Sequence, residues 1–332
     1  MPVQLAYSVR LNPQGTRGSA VAGPFSTNIF AVSVVMAAAL LLAGTTRGQE
    51  LDTRSLEAGY AQLVSFEAQP EIAAAHFSVD VGDPALDDPT IKTAKLPLYR
   101  EFESGEQGRR WFVQATGSYL DMEERIKLEL PSEVVERLDA KWRGYGALLE
   151  GGLIFSLSEH VELAPSVGLG VSRLESEMDF SSPALEEALA PELDGVLYNW
   201  DTMASIVRAS LALRYDQKFS SWRVKSSAHL SGSYIDSFSE SERFSGFTDE
   251  AGNVGLRMDA SHPIGMKIRD YPVFLVGRLG FTQFIGANRA ELGFENFGEA
   301  GLSLGVHKFT LGLLGIFGSD VSGWNLLFNY DY

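Results

Sequence analysis

The feature that most constrains this chain is a succession of long segments in which side chains of opposite character alternate, each closed by Gly, Ser, Asn or Asp. Alternation with period 2 is the signature of a strand with two unlike faces. The stretch GWNLLFNYDY shows it to the last residue: Trp324, Leu326, Phe328, Tyr330 and Tyr332 take alternate positions, with Asn325, Asn329 and Asp331 between them. In VELAPSVGLGVSR, Val161, Leu163, Pro165, Val167, Leu169 and Val171 share one face, and Glu162, Ala164, Ser166, Gly168, Gly170 and Ser172 the other. Met203, Val207, Leu211, Leu213 and Tyr215 likewise stand opposite Arg208, Ser210 and Arg214.

A soluble sandwich turns the polar face to water, whereas a transmembrane barrel turns the apolar face to lipid and the small, polar face inward. Periodicity does not separate the two, but connection lengths do. With the C-terminus placed in the periplasm, strands fall near 109–121, 143–157, 161–175, 202–218, 222–235, 251–261, 272–285, 297–306, 308–317 and 323–332. The gaps SEH (158–160) and FSS (219–221) are short, and the gaps 122–142, 176–201 and 236–250 on the opposite side are long. Short periplasmic turns alternating with longer outer loops mark an outer-membrane barrel. The gap 262–271 is a longer inner turn than this pattern wants. Two further strands from IAAAHFSVDV and TAKLPLYREF complete an even count. The expected fold is all-β: a transmembrane antiparallel up-and-down β-barrel of about 12 strands over 71–332, with a short N-terminal helix.

Aromatic residues support the same register, since Trp and Tyr prefer the membrane–water boundaries. Trp111, Tyr215, Trp222, Tyr330 and Tyr332 fall near inner ends, and Tyr119, Trp142, Trp200 and Tyr234 near outer ends.

Upstream, Ile29 to Ala43 is an uncharged apolar run of 15 residues, short for a membrane-spanning helix and suited to a signal-peptide core. Residues 1–48 therefore read as a signal peptide with a long n-region. Residues 49–70 read as a leader in which Leu56, Tyr60, Leu63 and Val64 share a helical face, either threading the lumen or lying in the periplasm. There is no cysteine, which excludes disulfides, Cys-based metal sites and Cys nucleophiles. A net charge of −16 disfavours nucleic acid as a partner. From Glu175 to Asp201 there are eight acids and no Lys or Arg, which suits a solvated outer loop or, less simply, a divalent-cation site near lipopolysaccharide phosphate.

Alternation sends Arg110, Arg208, Arg214, Arg223, Lys225, Arg257 and Arg278 into the lumen with Glu150, Glu162, Asp259 and Glu299, a basic surplus. Such groups form a cross-strand ion-pair network that fills the lumen, or a wall that favours anions. A twelve-strand barrel is also wider than the eight-strand case that side chains alone fill. On that ground, removing residues 50–68 would be expected to open a pore. His76, His160, His229, His262 and His307 show no metal-ligand spacing, and no cofactor, metal or catalytic residue is expected. Ser227, His229, Ser231 and Ser233 share a strand face, but that face is the lumen, away from lipid substrate.

These features resemble the solitary outer-membrane autotransporter-like β-barrel domains, which are similar to autotransporter translocators without a long passenger. The resemblance rests on the signal segment followed almost at once by barrel, on LDGVLYNW at 193–200 after an acidic loop, on the strand count and on the terminal strand, and it covers roughly residues 75–332. It implies a twelve-stranded barrel in the bacterial outer membrane, with no catalytic residues to carry over. It also implies that the final strand is the signal read by the barrel-assembly machinery, with Gly323, Trp324, Leu326, Phe328, Tyr330 and Tyr332 as its positions. The expected function is a non-enzymatic structural, pore or export element. The expected partners are outer-membrane lipid, lipopolysaccharide and the assembly machinery, and the expected state is monomeric. The alternative is a lipid-modifying enzyme, a lipase or deacylase, on the same barrel.

Overall fold

The computed structural model describes residues 71–80, 87–103, 109–129, 135–195, 199–240, 247–286 and 294–330. The signal segment, the leader 49–70 and Tyr332 lie outside the described residues. The elements are β1 (Ile72–Val79), β2 (Thr90–Glu103), β3 (Arg109–Glu129), β4 (Val135–Ser156), β5 (Val161–Phe180), α1 (Pro183–Leu193), β6 (Trp200–Phe219), β7 (Trp222–Glu240), β8 (Thr248–Ile268), β9 (Tyr271–Gly286), β10 (Asn296–Val306), β11 (Phe309–Phe317) and β12 (Val321–Tyr330). Each strand pairs antiparallel with the next, and β1 pairs with β12 from Ile72↔Phe328 to Val79↔Val321, so the sheet is a closed barrel. Closure leaves no unpaired edge in the hydrocarbon, the condition for a sheet to cross it.

The two faces follow the expected parity. Val167 and Leu169 are 69% and 68% exposed on the outside, while their neighbours Ser166, Gly168 and Gly170 turn inward. Outward Trp111 and Trp222 mark the periplasmic boundary, and Tyr119 and Tyr145, with ring centroids 5.3 Å apart, mark the extracellular one. About nine to eleven tilted residues cross a bilayer. β3, β4 and β5 have 21, 22 and 20 residues, so their outer halves stand clear of the membrane as a tall wall.

Much of the expected long loops 122–142, 176–201 and 236–250 is therefore strand. The alternation continues there with its polarity reversed. Outward positions become charged and pair across strands: Arg125 donates to Asp139 at 2.8 Å, Lys141 to Asp179 at 3.1 Å, and Arg143 lies 3.4 Å from Glu177. Beside them, Lys127 donates to Asp87 in the β1–β2 connection and holds that carboxyl below the usual carboxylate range. Inward positions become apolar, with Ile126 and Leu138 fully buried. Above the membrane the barrel has water outside and a largely apolar core inside, like a soluble protein, with Glu124 buried in it. For the same reason Trp142 and Trp200, expected in the outer girdle, are buried inward.

Two smaller differences concern turns. The gap 262–271 is mostly strand, because β8 runs to Ile268 with an irregularity between Pro263 and Lys267, leaving Arg269 and Asp270 as the turn. Within the acidic segment lies α1: Ser182 caps it by accepting from Leu185 N at 3.3 Å, and Pro183 opens its first turn.

The β1–β12 seam carries a steric requirement. A Cβ on Gly323 would collide with the His76 carbonyl oxygen and lie 2.6 Å from Phe77 Cα, backbone atoms with little freedom to move. Gly315, one strand away, has only the Ala300 oxygen at 3.8 Å. Gly323→Ala should lower the temperature of heat-modified gel migration, consistent with an overpacking cost of roughly 1–3 kcal/mol. Gly315→Ala should leave it unchanged. Equal behaviour of the two variants would refute the seam argument.

Candidate functional site in the barrel lumen

The lumen is organised in two regions. In its periplasmic half, charged side chains reach across the barrel. On one side, Arg278 donates to Glu71 at 2.7 and 3.0 Å and to Asp259 at 2.7 and 2.9 Å, while Arg257 donates to Glu71 at 2.7 Å and also to Asp259. These four side chains are between 5% and 16% exposed, so each charge relies on the others for compensation. Glu71, immediately before β1, is thereby tied to β8 and β9.

On the other side, Arg110 donates to Glu101 at 2.6 Å and to Glu162, and Tyr99 donates to Glu101 at 2.6 Å. Arg214 on β6 donates to the Tyr99 hydroxyl on β2 at 3.3 Å, a contact across the lumen. Phe112, Ile154 and Ala164 pack as a small cluster with Tyr99. Glu150 accepts from Ser166 and Ser210 at 3.3 Å each. Its chain lies over Gly168, where a Cβ would come within 2.5 Å of Glu150 Cγ. Arg208 is buried on β6, in register with Gly168. Asn325 donates to Glu299 at 3.0 Å.

Towards the extracellular end the lumen is apolar. Ile91, Leu120, Met122, Ile126, Leu138 and Trp142 belong to one buried cluster that extends round the barrel to Ile316 and Val321. Leu185 and Leu189 of α1 are buried in the same cluster. The helix is tethered at its start: Ser182 Oγ donates to Glu136 at 3.1 Å, Ser181 Oγ donates to the same carboxylate, and Ser181 N donates to Arg137 O at 2.9 Å. Phe294 and Phe297 pack with Phe284 at centroid distances of 5.7 to 6.3 Å and complete the seal on the short side of the barrel.

Each expected lumen charge has inward parity, but Arg223 and Lys225 sit at the exposed periplasmic rim, where Arg223 donates to Asp216 at 2.8 and 2.5 Å. The expected basic surplus disappears. Glu71, Glu101, Glu124 and Asp249 also point inward, against one additional base, Lys95. The first of these preceded the expected strands, and Glu124 and Asp249 fell in segments read as loop. At the extracellular end the barrel's own large side chains and α1 occupy the lumen. The expected serine–histidine alignment lacks contact: His229 Nε2 is 3.0 Å from Asn253 Oδ1, and His229 Nδ1 and Ser231 Oγ are each buried without a hydrogen-bond partner.

In the terminal strand, Trp324 and Leu326 are exposed on the outer face, and Phe309 packs on Phe328 and Tyr330 at 6.0 and 4.7 Å. Gly323 faces inward at the seam.

A family model described as a solitary outer membrane autotransporter β-barrel domain matches residues 81–332. Among solved structures, the β domain of the Bordetella autotransporter BrkA is 13% identical with a TM-score of 0.50, covering 79% of this chain and 97% of its own. The transport unit of the autotransporter AIDA-I from Escherichia coli is 10% identical with a TM-score of 0.51, covering 92% and 99%. At these identities the likeness is one of fold. No curated protein matches the chain.

The quartet yields a stability test. Glu71→Ala leaves Arg257 and Arg278 to share a single carboxylate, Asp259. It should cost roughly 3–5 kcal/mol in urea unfolding of the micelle-bound protein, the scale for breaking a buried ion pair. A loss below about 1 kcal/mol, the scale of a surface pair, would show that the network is hydrated and loose.

Proposed function

Since the chain belongs to the solitary outer membrane autotransporter β-barrel domain family and lies in the bacterial outer membrane, we propose that it is a non-enzymatic structural barrel whose lumen is sealed at the extracellular end. It conducts or exports only when that seal is displaced. The observation that carries this reading is the apolar layer with Leu185 and Leu189 inserted in it. The layer is mostly apolar, with Glu124 buried in it as a carboxyl group that has no hydrogen-bond partner, and a hydrophobic constriction gates by dewetting. The periplasmic half, crossed by ion pairs, acts as a stiffened support for the seal.

The remaining assignments belong to the same proposal. The barrel-assembly machinery reads the terminal strand through Trp324, Leu326, Phe328 and Tyr330. Lipopolysaccharide meets the charged outer wall of β3 to β5. The protein works as a monomer, without a nucleic-acid partner and without a cofactor. The absence of catalysis is supported by His229 and Ser231, which face the lumen and share no hydrogen bond. A lipid-modifying enzyme would need its nucleophile and base in hydrogen-bond reach and open to lipid.

In planar bilayers the intact protein should stay closed or flicker briefly, and deletion of residues 50–68 should not change this. Leu185→Asp with Leu189→Asp should produce steady conductance, because a buried carboxylate draws water into the layer. A large steady conductance in the intact protein, or opening by the leader deletion alone, would refute the seal.

A further inference from the structure

One ionisable side chain in the apolar layer has no counterpart there. Glu124 points inward from β3 and is 3% exposed, and neither of its carboxyl oxygens has a hydrogen-bond partner. Its inward neighbours on the same strand are Met122 and Ile126, and the residues in register with these three on β4 are Trp142, Ala140 and Leu138, all members of the buried cluster. On the β2 side, Ile91 stands in register with Met122. The residues flanking Glu124 in sequence, Glu123 and Arg125, are exposed on the outer face, where Glu123 meets Lys92 at 3.4 Å and Arg125 donates to Asp139 at 2.8 Å. Charges on the outer face put this level of the barrel above the hydrocarbon.

The charged groups around Glu124 supply no compensation. Lys92, Arg125 and Lys141 stand on the outer face of β2, β3 and β4. β5 offers Leu174, Ser176 and Met178 to the interior, and α1 offers Leu185 and Leu189 while its Glu186 and Glu187 are exposed. Among the described side chains, two other acids share the inner face of this half. Glu136, further out on β4, accepts from Ser181 and Ser182, and Asp249 is buried on β8. An ionised carboxylate in such a place costs far more than a neutral one.

We propose that Glu124 is a proton switch on the seal: protonated, it rests within the apolar layer and the layer stays shut, and ionised, it draws water in and loosens α1. The switch acts on the seal proposed above and rests on that reading. Burial pushes the Glu124 carboxyl up to about 7, whereas an opened, hydrated layer returns it to its ordinary value of 4.5. The closed state therefore binds the proton more tightly. Sealing is strongest below about pH 4.5, weakens by up to about tenfold for each pH unit above it and levels off above about pH 7. The tether through Glu136 works in the opposite direction, since protonating that acceptor would loosen α1 in acid.

The test uses the full-length protein refolded in detergent micelles and reads amide hydrogen exchange of α1 between pH 5.5 and 8.5, corrected at each pH for the free-peptide rate. Protection of α1 in wild type should fall by about tenfold or more across that range. It should stay level in Glu124→Gln, and Glu124→Asp should restore the fall. Glu124→Leu, which should also stay level, provides a second variant should the amide disturb the layer, and heat-modified gel migration checks that each is folded. Level protection in wild type would overturn the proposal, as would an undiminished fall in the folded Gln or Leu variant. An α1 that is unprotected at every pH in all the variants would overturn the seal itself, and the switch with it.

Discussion

Every backbone N–H and C=O that enters hydrocarbon must find a partner within the protein, and a sheet meets that condition only by closing on itself. In this chain the condition is met at one place that sequence order does not supply, the pairing of β1 with β12. The other eleven pairings join strands adjacent in the chain, and each can form through a local hairpin. The seam joins the first strand to the last, so it brings the longest loop-closure entropy. Its features follow from that. β1 is only eight residues long, Gly323 lets the two backbones approach, and Glu71 at its start is tied to β8 and β9 rather than left to the strand alone.

Closure creates an interior, and its two halves are filled by different physics. At membrane level the outside is lipid, so the apolar side chains are spent outward and small or charged groups are left for the inside. Twelve strands enclose more than small side chains fill, and long Arg and Glu side chains span the remaining gap in mutually compensating sets. Beyond the membrane the outside is water. The inward face then becomes the favourable location for Ile126, Leu138 and Trp142, and the lumen closes by hydrophobic packing. The seal is thus a consequence of strands that continue past the bilayer.

The twelve strands, their order and the lipid-facing parity were legible in the sequence, because within the bilayer a mostly apolar outward face alternates with an inward face of small and charged residues along β5 and β6. Of the lumen charges named from that parity, Arg110, Glu150, Arg208, Arg214, Arg257, Asp259, Arg278 and Glu299 lie on the inner wall, and Arg223 and Lys225 lie at the exposed rim. What was not legible came from reading an apolar outward face as the mark of a strand. From Asp121 to Lys127 and again from Glu136 to Lys141 the alternation persists but the apolar set has moved largely inside, and such a segment reads as loop to any rule that expects lipid. The same rule assigned Trp142 and Trp200 to the girdle. The α1 signal was present as Ser182 followed by Pro183, an N-cap and first-turn pair within an acidic stretch whose charge drew attention from it. Glu71 gave no local sign, since its partners lie 186 and 207 residues away.

The extracellular half of the barrel is lopsided, and this decides how the seal is held. β3 to β8 have between 19 and 22 residues, whereas β10, β11 and β12 have 11, 9 and 10. A continuous ladder holds the tall wall, and displacing it would break many paired backbone groups at once. The short side has no such wall at that height, and Phe284, Phe294 and Phe297 close it through ring contacts rather than through the ladder. Opposite them α1 is secured through Glu136, Ser181 and Ser182 at its first turn and through the buried Leu185 and Leu189. Those contacts are side-chain packing and a few hydrogen bonds, far weaker in sum than the ladder beneath them. On the proposed reading, opening proceeds by movement of α1 and the phenylalanine cluster against the paired wall. The membrane-embedded cylinder and its cross-lumen ion pairs remain in place.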